Sequence, residues 1–136
     1  MRFNNKNGTA IVEFAIIFPI TMLLFLGIIE FSIILFDKAV ITNASREGTR
    51  AGIVQAPTRL TDQEIRDIVK NYCNNYLLWN KTIADGDIEI NRSGFSFGDD
   101  LIVIVRYQYN FIALPGFMTT PLGPINLVAW TTMRME

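Results

Sequence analysis

Residues 14–29 read FAIIFPITMLLFLGII, with no charged side chain, and the pattern resumes after Glu30 as FSIILF up to Phe36. At about 1.5 Å per helical residue, Thr9 to Phe36 is long enough to cross a hydrocarbon core of roughly 30 Å. A core helix of a soluble domain is the competing reading, but this run is apolar on every face and lies next to the N-terminus, which favours a membrane span. A cleaved secretory signal is the other competitor. Its apolar region is normally shorter and ends at a small-residue cleavage site, whereas Phe36-Asp37-Lys38 follow here; a retained anchor is preferred. Arg2 and Lys6 precede the span without an acidic residue, so the positive-inside rule puts the N-terminus in the cytoplasm and the body outside the inner membrane.

Composition excludes several kinds of chemistry. The chain has 136 residues, a net charge of −1, no histidine and one cysteine, Cys73. A balanced charge leaves no basic footprint for nucleic acid. Without histidine there is no His-dependent acid–base machinery or His-containing zinc site. Cys73 alone can close no internal disulfide. Asp85, Asp87, Glu89, Asp99 and Asp100 supply hard oxygen ligands, but their spacing is not that of an EF-hand calcium loop, and no pocket or positioning group is implied for a glycosidase pair. The expectation is a protein that is not an enzyme, with no catalytic residues, metal or cofactor.

The anchor has internal features of its own. Glu13 is a costly carboxylate near the cytoplasmic end. It either snorkels to water or serves assembly: cleavage after Gly8 would leave a new amine at Thr9, and Glu13 of one helix could pair with that amine on a neighbour, fixing register. Pro19 removes a backbone hydrogen bond within the span and predicts a kink or local unwinding. Glu30 falls near the outer interface, facing headgroups, another subunit or water. Beyond Phe36, Ala39, Val40, Ala44, Ala51 and Val54 continue a helix out of the bilayer, with Arg46, Glu47 and Arg50 on the wet side and Glu47 able to pair with Arg50. Gly48 and Gly52 are either a small-residue stripe for close approach or a flexible helix end. Pro57 ends the element.

Gly8-Thr9-Ala10-Ile11-Val12-Glu13-Phe14, Pro19, Gly27 with Glu30-Phe31, and the closing Ala44-Ser45-Arg46-Glu47-Gly48-Thr49-Arg50-Ala51 occur in an order that resembles the TadE-like family of the tight-adherence (Tad, or Flp) pilus systems. The resemblance covers roughly residues 8–51. It implies a minor pseudopilin: Gly8 as the last residue of a leader removed by a prepilin peptidase, and Glu13, followed by Phe14, as the registration glutamate. Other pilins or pseudopilins and the Tad assembly machinery would be its partners, in adhesion or secretion.

The body carries ordinary folding signals. Thr61 and Glu64 form a capping-box pattern, and Ile65, Ile68, Val69, Tyr72, Tyr76 and Leu77 recur at helical spacing, predicting a helix over 62–77 with Cys73 in its core. Strands are predicted at 87–91, 101–109 and 126–135. Phe95, Phe97, Phe111, Phe117 and Trp130 are assigned to core and loop packing in preference to an exposed assembly surface. The expected organisation is a leader at 1–8, a transmembrane and assembly helix at 9–56 and a body at 57–136. The expected fold is α+β and pilin-like: a long N-terminal helix, a three-stranded antiparallel sheet and one packing helix.

Overall fold

A computed structural model describes residues 6–54, 59–80 and 82–135; Arg2 and Pro57 lie outside the described residues. The elements run α1 (Lys6–Ile53), α2 (Asp62–Tyr76), β1 (Ile88–Arg92), β2 (Asp100–Tyr109), α3 (Gly116–Thr119) and β3 (Ile125–Arg134). This is the expected α+β arrangement, with a long N-terminal helix and one antiparallel sheet in the order β1-β2-β3. The helix is continuous through Pro19. The chain divides into two compact units. One holds α1 through Ser32 and the segment Phe111–Gly123; the other holds Ile33–Asn110 and the residues from Pro124 on. The outer half of α1 therefore packs as part of the body.

In the second unit, α1 buries Asp37, Val40, Ile41, Ala44, Ser45, Gly48, Thr49 and Gly52. These positions recur at three- and four-residue steps, so they form one face of the helix. The face is made of small and hydroxylated residues, and it allows a close approach. A Cβ on Gly48 would sit 2.5 Å from Val69 Cγ2, and one on Gly52 would sit 2.5 Å from Leu101 Cδ2. Of the two sequence readings of this glycine pair, close packing is the correct one. The hydroxyls are satisfied locally: Thr49 Oγ1 donates to the Ser45 carbonyl at 2.6 Å, and Ser45 Oγ lies 2.7 Å from Thr131 Oγ1 on β3. The Lys38 ammonium donates to the Val128 carbonyl.

Helix α2 begins as its sequence dictates. Glu64 N–H donates to Thr61 Oγ1, and the Glu64 carboxylate accepts from Thr61 N–H at 2.7 Å, completing the capping box. The helix buries Ile65, Val69 and Cys73 on one face. In β2, Leu101, Val103, Val105, Tyr107 and Tyr109 alternate inward. Their partners on β3 include Ala129 opposite Val105 and Leu127 opposite Tyr107. Each fully buried aliphatic side chain of this core contributes about 1.5–3 kcal/mol of transfer free energy. Arg92 closes the corner where β1 meets α2, with Nε 2.6 Å from Asp62 Oδ1 and a second bond to the Leu60 carbonyl at 2.9 Å.

Candidate functional site

The residues singled out from the sequence all lie on α1, but they occupy different environments. Gly8 and Thr9 lie in its first turn. Glu13 and Phe14 are exposed, and Phe14 stacks at a tilt on Phe18 with ring centroids 5.2 Å apart. From Gly8 to Ile29 no side chain is buried. Among the described residues, one helix, Gly8–Ile53, is long and apolar enough to cross a membrane. Its polar hydroxyls turn back on the helix: Thr21 donates to the Ile17 carbonyl and Ser32 to the Ile28 carbonyl. Such back-bonding satisfies both hydroxyls within the helix.

Glu30 departs from expectation. It does not face headgroups, water or another subunit: it is 2% exposed. Its carboxylate accepts the backbone N–H groups of Ile112 at 3.0 Å, Ala113 at 2.6 Å and Leu114 at 3.0 Å. Three converging amides form a cradle for one anionic group, and charge-assisted bonds of this kind are stronger than neutral ones. Glu30 and the cradle belong to the same compact unit. The signal available in the sequence was a lone carboxylate at the end of an apolar run, which demands a partner; the partner's location, more than eighty residues away, had no local signature.

Further along α1, Arg46, Glu47 and Arg50 are exposed as expected. Glu47 and Arg50 form no ion pair with each other; two solvated side chains gain little from one. Gly27 lies in the apolar run of α1, and a Cβ there would meet nothing within 4 Å.

The acidic residues of the body are engaged separately. Asp85 pairs with Lys70 at 2.5 Å, Glu89 with Arg106 at 2.7 Å and Asp100 with Arg134 at 3.5 Å. Asp99 accepts the Ser96 N–H at 2.7 Å. Hydrogen bonds from Asn91 and then Arg106 hold the Glu89 carboxyl below its ordinary value. Burial, followed by the negative charge of Asp37, pushes the Tyr107 phenol well above its ordinary value. Among the described residues no group of three or more Cys, Asp or Glu side chains is placed to hold a metal ion.

The aromatic assignment needs correction. Phe97 is 86% exposed, Trp130 is 69% exposed, and Phe95 and Phe117 are also exposed; Phe111 is half-buried. The cause is geometric. Trp130 follows the inward Ala129 and so takes the outer face of β3, while Phe95 and Phe97 sit in a short loop with no layer above it. The Arg92 guanidinium lies 5.0 Å from the Phe95 ring centroid.

A long N-terminal helix with an apolar, unburied first half, carrying a small α+β body on its second half, defines a pilin-like class of protein. Within that class, residues 8–50 match the family model described as TadE-like protein. The match confirms the resemblance over the N-terminal third of the chain, from Gly8 to Arg50, and leaves the body uncovered. No curated protein and no solved structure matches the chain significantly. The family match and the apolar helix together fit a membrane protein associated with Tad pili.

Proposed function

We propose that the protein is a minor pseudopilin of the Tad pilus and not an enzyme. A prepilin peptidase removes residues 1–8 and leaves Thr9 as the new N-terminus. The chain then resides in the bacterial inner membrane, with its N-terminus cytoplasmic and its body outside, until the Tad assembly machinery transfers α1 from lipid into a bundle of other pilins or pseudopilins. Adhesion or secretion is the outcome of that assembly. The observation that carries this reading is the order of Gly8, Thr9, Glu13 and Phe14 at the head of a helix that, from Gly8 to Ile29, is unburied and uncharged apart from Glu13.

The chemistry of each step is local. Gly8 lies in the first turn, where backbone N–H groups lack helical partners, so exposing the Gly8–Thr9 peptide to a protease disrupts few hydrogen bonds. Removing Arg2 and Lys6 with the leader deletes the cationic flank that holds the helix in place. Glu13 then meets the Thr9 ammonium of a neighbour in a low dielectric. Such a pair specifies alignment more reliably than it stabilises.

Intact-mass spectrometry of the membrane-purified protein, coexpressed with its prepilin peptidase, tests the first step: a chain starting at Thr9 is expected, and an intact leader would refute it. Glu13→Ala is expected to insert normally but to fail incorporation with partner pilins. Normal incorporation would remove Glu13 from the mechanism.

A further inference from the structure

The segment between β2 and β3 differs from the rest of the body. From Tyr107 to Met133 the sequence has no charged residue. Ile112, Phe117 and Leu122 are exposed, Phe117 by 74%. Most of the backbone N–H groups beneath them are engaged. The N–H groups of Ile112, Ala113 and Leu114 go to Glu30. Pro115 and Pro121 have none to offer. Met118 and Thr119 donate to the Pro115 carbonyl, Thr120 to that of Gly116, and Leu122 and Gly123 to that of Thr119. The Thr119 and Thr120 hydroxyls also turn inward, to the Gly116 carbonyl. Apolar side chains outward over a backbone whose N–H groups are mostly engaged suit a place where water is scarce.

The helix supplies such a place. Thr9 to Glu30 spans about 32 Å at 1.5 Å per residue, close to the thickness of a hydrocarbon core. Glu30 therefore marks the far interface. On the span, Leu23, Leu26 and Gly27 are partly covered while Met22, Leu24, Phe25, Ile28 and Ile29 stay exposed. The covered positions share one face with Glu30, at the i, i+3, i+4, i+7 spacing. Phe111–Gly123 packs in one unit with this part of the helix.

We propose that Phe111–Gly123 is a second membrane contact, with Ile112, Phe117 and Leu122 seated in the bilayer interface and Glu30 the clasp that holds the segment against the span. A lipid surface is favoured over a protein partner because the segment carries no charge, exposes Ile112, Phe117 and Leu122, and is held by Glu30 at the end of the apolar run. The proposal rests on α1 being a span and not on pilus assembly.

The test uses the full chain, highly diluted in vesicles of phosphatidylethanolamine and phosphatidylglycerol so that no second copy is at hand. Nitroxide labels are placed singly through Phe117→Cys, Leu122→Cys, Leu24→Cys and Phe97→Cys. Cys73 is buried and stays unlabelled, which the unsubstituted chain verifies. Labels at 117 and 122 are expected to collide with oxygen more than with a water-soluble nickel chelate, as the label at 24 does and the one at 97 does not. Labels at 117 and 122 behaving like the one at 97, with 24 still in lipid, would overturn the contact while sparing the span. A water-exposed label at 24 would overturn both, together with the functional reading above. Glu30→Gln, which keeps the shape but offers one accepting oxygen to three donors, is expected to raise nickel accessibility at 117 several-fold and leave 24 unchanged. An unchanged value at 117 would remove Glu30 as the clasp.

Discussion

Gly48 offers the most direct test of how α1 holds the body. An alanine Cβ there would lie 2.5 Å from Val69 Cγ2 and 3.4 Å from Ile65 Cγ2. Carbon atoms in contact settle at about 3.5–4.0 Å, so the first overlap is at least about 1 Å. Val69 is β-branched and sits inside α2, where one χ1 rotamer dominates, so it cannot swing away. Overpacking of this kind costs about 1–3 kcal/mol. Against it stands the gain of about 1 kcal/mol for replacing glycine by alanine in a helix. The expected result for Gly48→Ala is a net loss of up to about 2 kcal/mol, taking these two magnitudes together. At Gly52 the close atoms are Leu101 Cδ2 and Ile65 Cδ1, both terminal methyls that can rotate aside. Gly52→Ala should therefore cost less than Gly48→Ala. Denaturant unfolding of the full chain in detergent micelles, followed by near-ultraviolet circular dichroism, measures both. Adding Val69→Ala to Gly48→Ala should cost less than the sum of the two single changes, because the clash is gone. Gly48→Ala stabilising the protein by about 1 kcal/mol, as in an open helix, would refute the close approach.

Further outcomes follow from the same structure. Thr61→Ala removes the hydroxyl that caps α2 and should lower stability by about 1 kcal/mol in the same unfolding assay. The bonds donated by the Thr61 backbone N–H and hydroxyl hold the Glu64 carboxyl below its ordinary 4.5; a depressed folded value stabilises above that pH and is lost as pH falls through the folded value. Stability measured from pH 7 down to 3 should therefore fall on the acid side, and Glu64→Gln should flatten that part of the curve. Burial pushes the Cys73 thiol up to about 12 from its ordinary 9.0. Its contribution is complete below pH 9 and declines above it as the unfolded thiol ionises, so a maleimide at pH 8 should modify Cys73 only after denaturant is added. Arg92→Lys cannot reach both Asp62 and the Leu60 carbonyl with a single ammonium, and should lose about 1–3 kcal/mol in the unfolding assay.

What could be read from the sequence was whatever has a local period or a local cap. The apolar run, the Thr61–Glu64 box and the alternation in 101–109 are set by neighbours within a few residues; α2 and β2 formed within a residue of their expected limits and α1 within three. The destination of Glu30 was not readable, because its partners are backbone amides far along the chain and an amide has no sequence identity. The exposed aromatics were misassigned because composition says nothing about faces. For Trp130 the remedy was available: with Leu127 and Ala129 inward, a strand must turn residue 130 outward.

The outer half of α1 packs on the body through a face that hydropathy does not single out. Its buried face includes Asp37, Ser45 and Thr49, which a hydropathy reading counts as solvent-facing. Polar groups can line such a face only when each finds a partner within bonding distance, and a close approach requires small residues at the crossing. Those two demands account for the closing block of the family match. Ala44, Ser45, Gly48 and Thr49 point into the body, and Arg46, Glu47 and Arg50 point away. The block therefore acts within the molecule, as the seat on which the body is mounted. It follows that a body mounted there is constrained even though the family match does not extend to it: it must present a helix with slim side chains at the level of Gly48, as α2 does with Val69, and a central strand with apolar side chains behind it, as β2 does with Leu101 and Val103. The exposed residues of the apolar run, among them Ile11, Phe14, Phe25 and Ile29, are under no such internal demand.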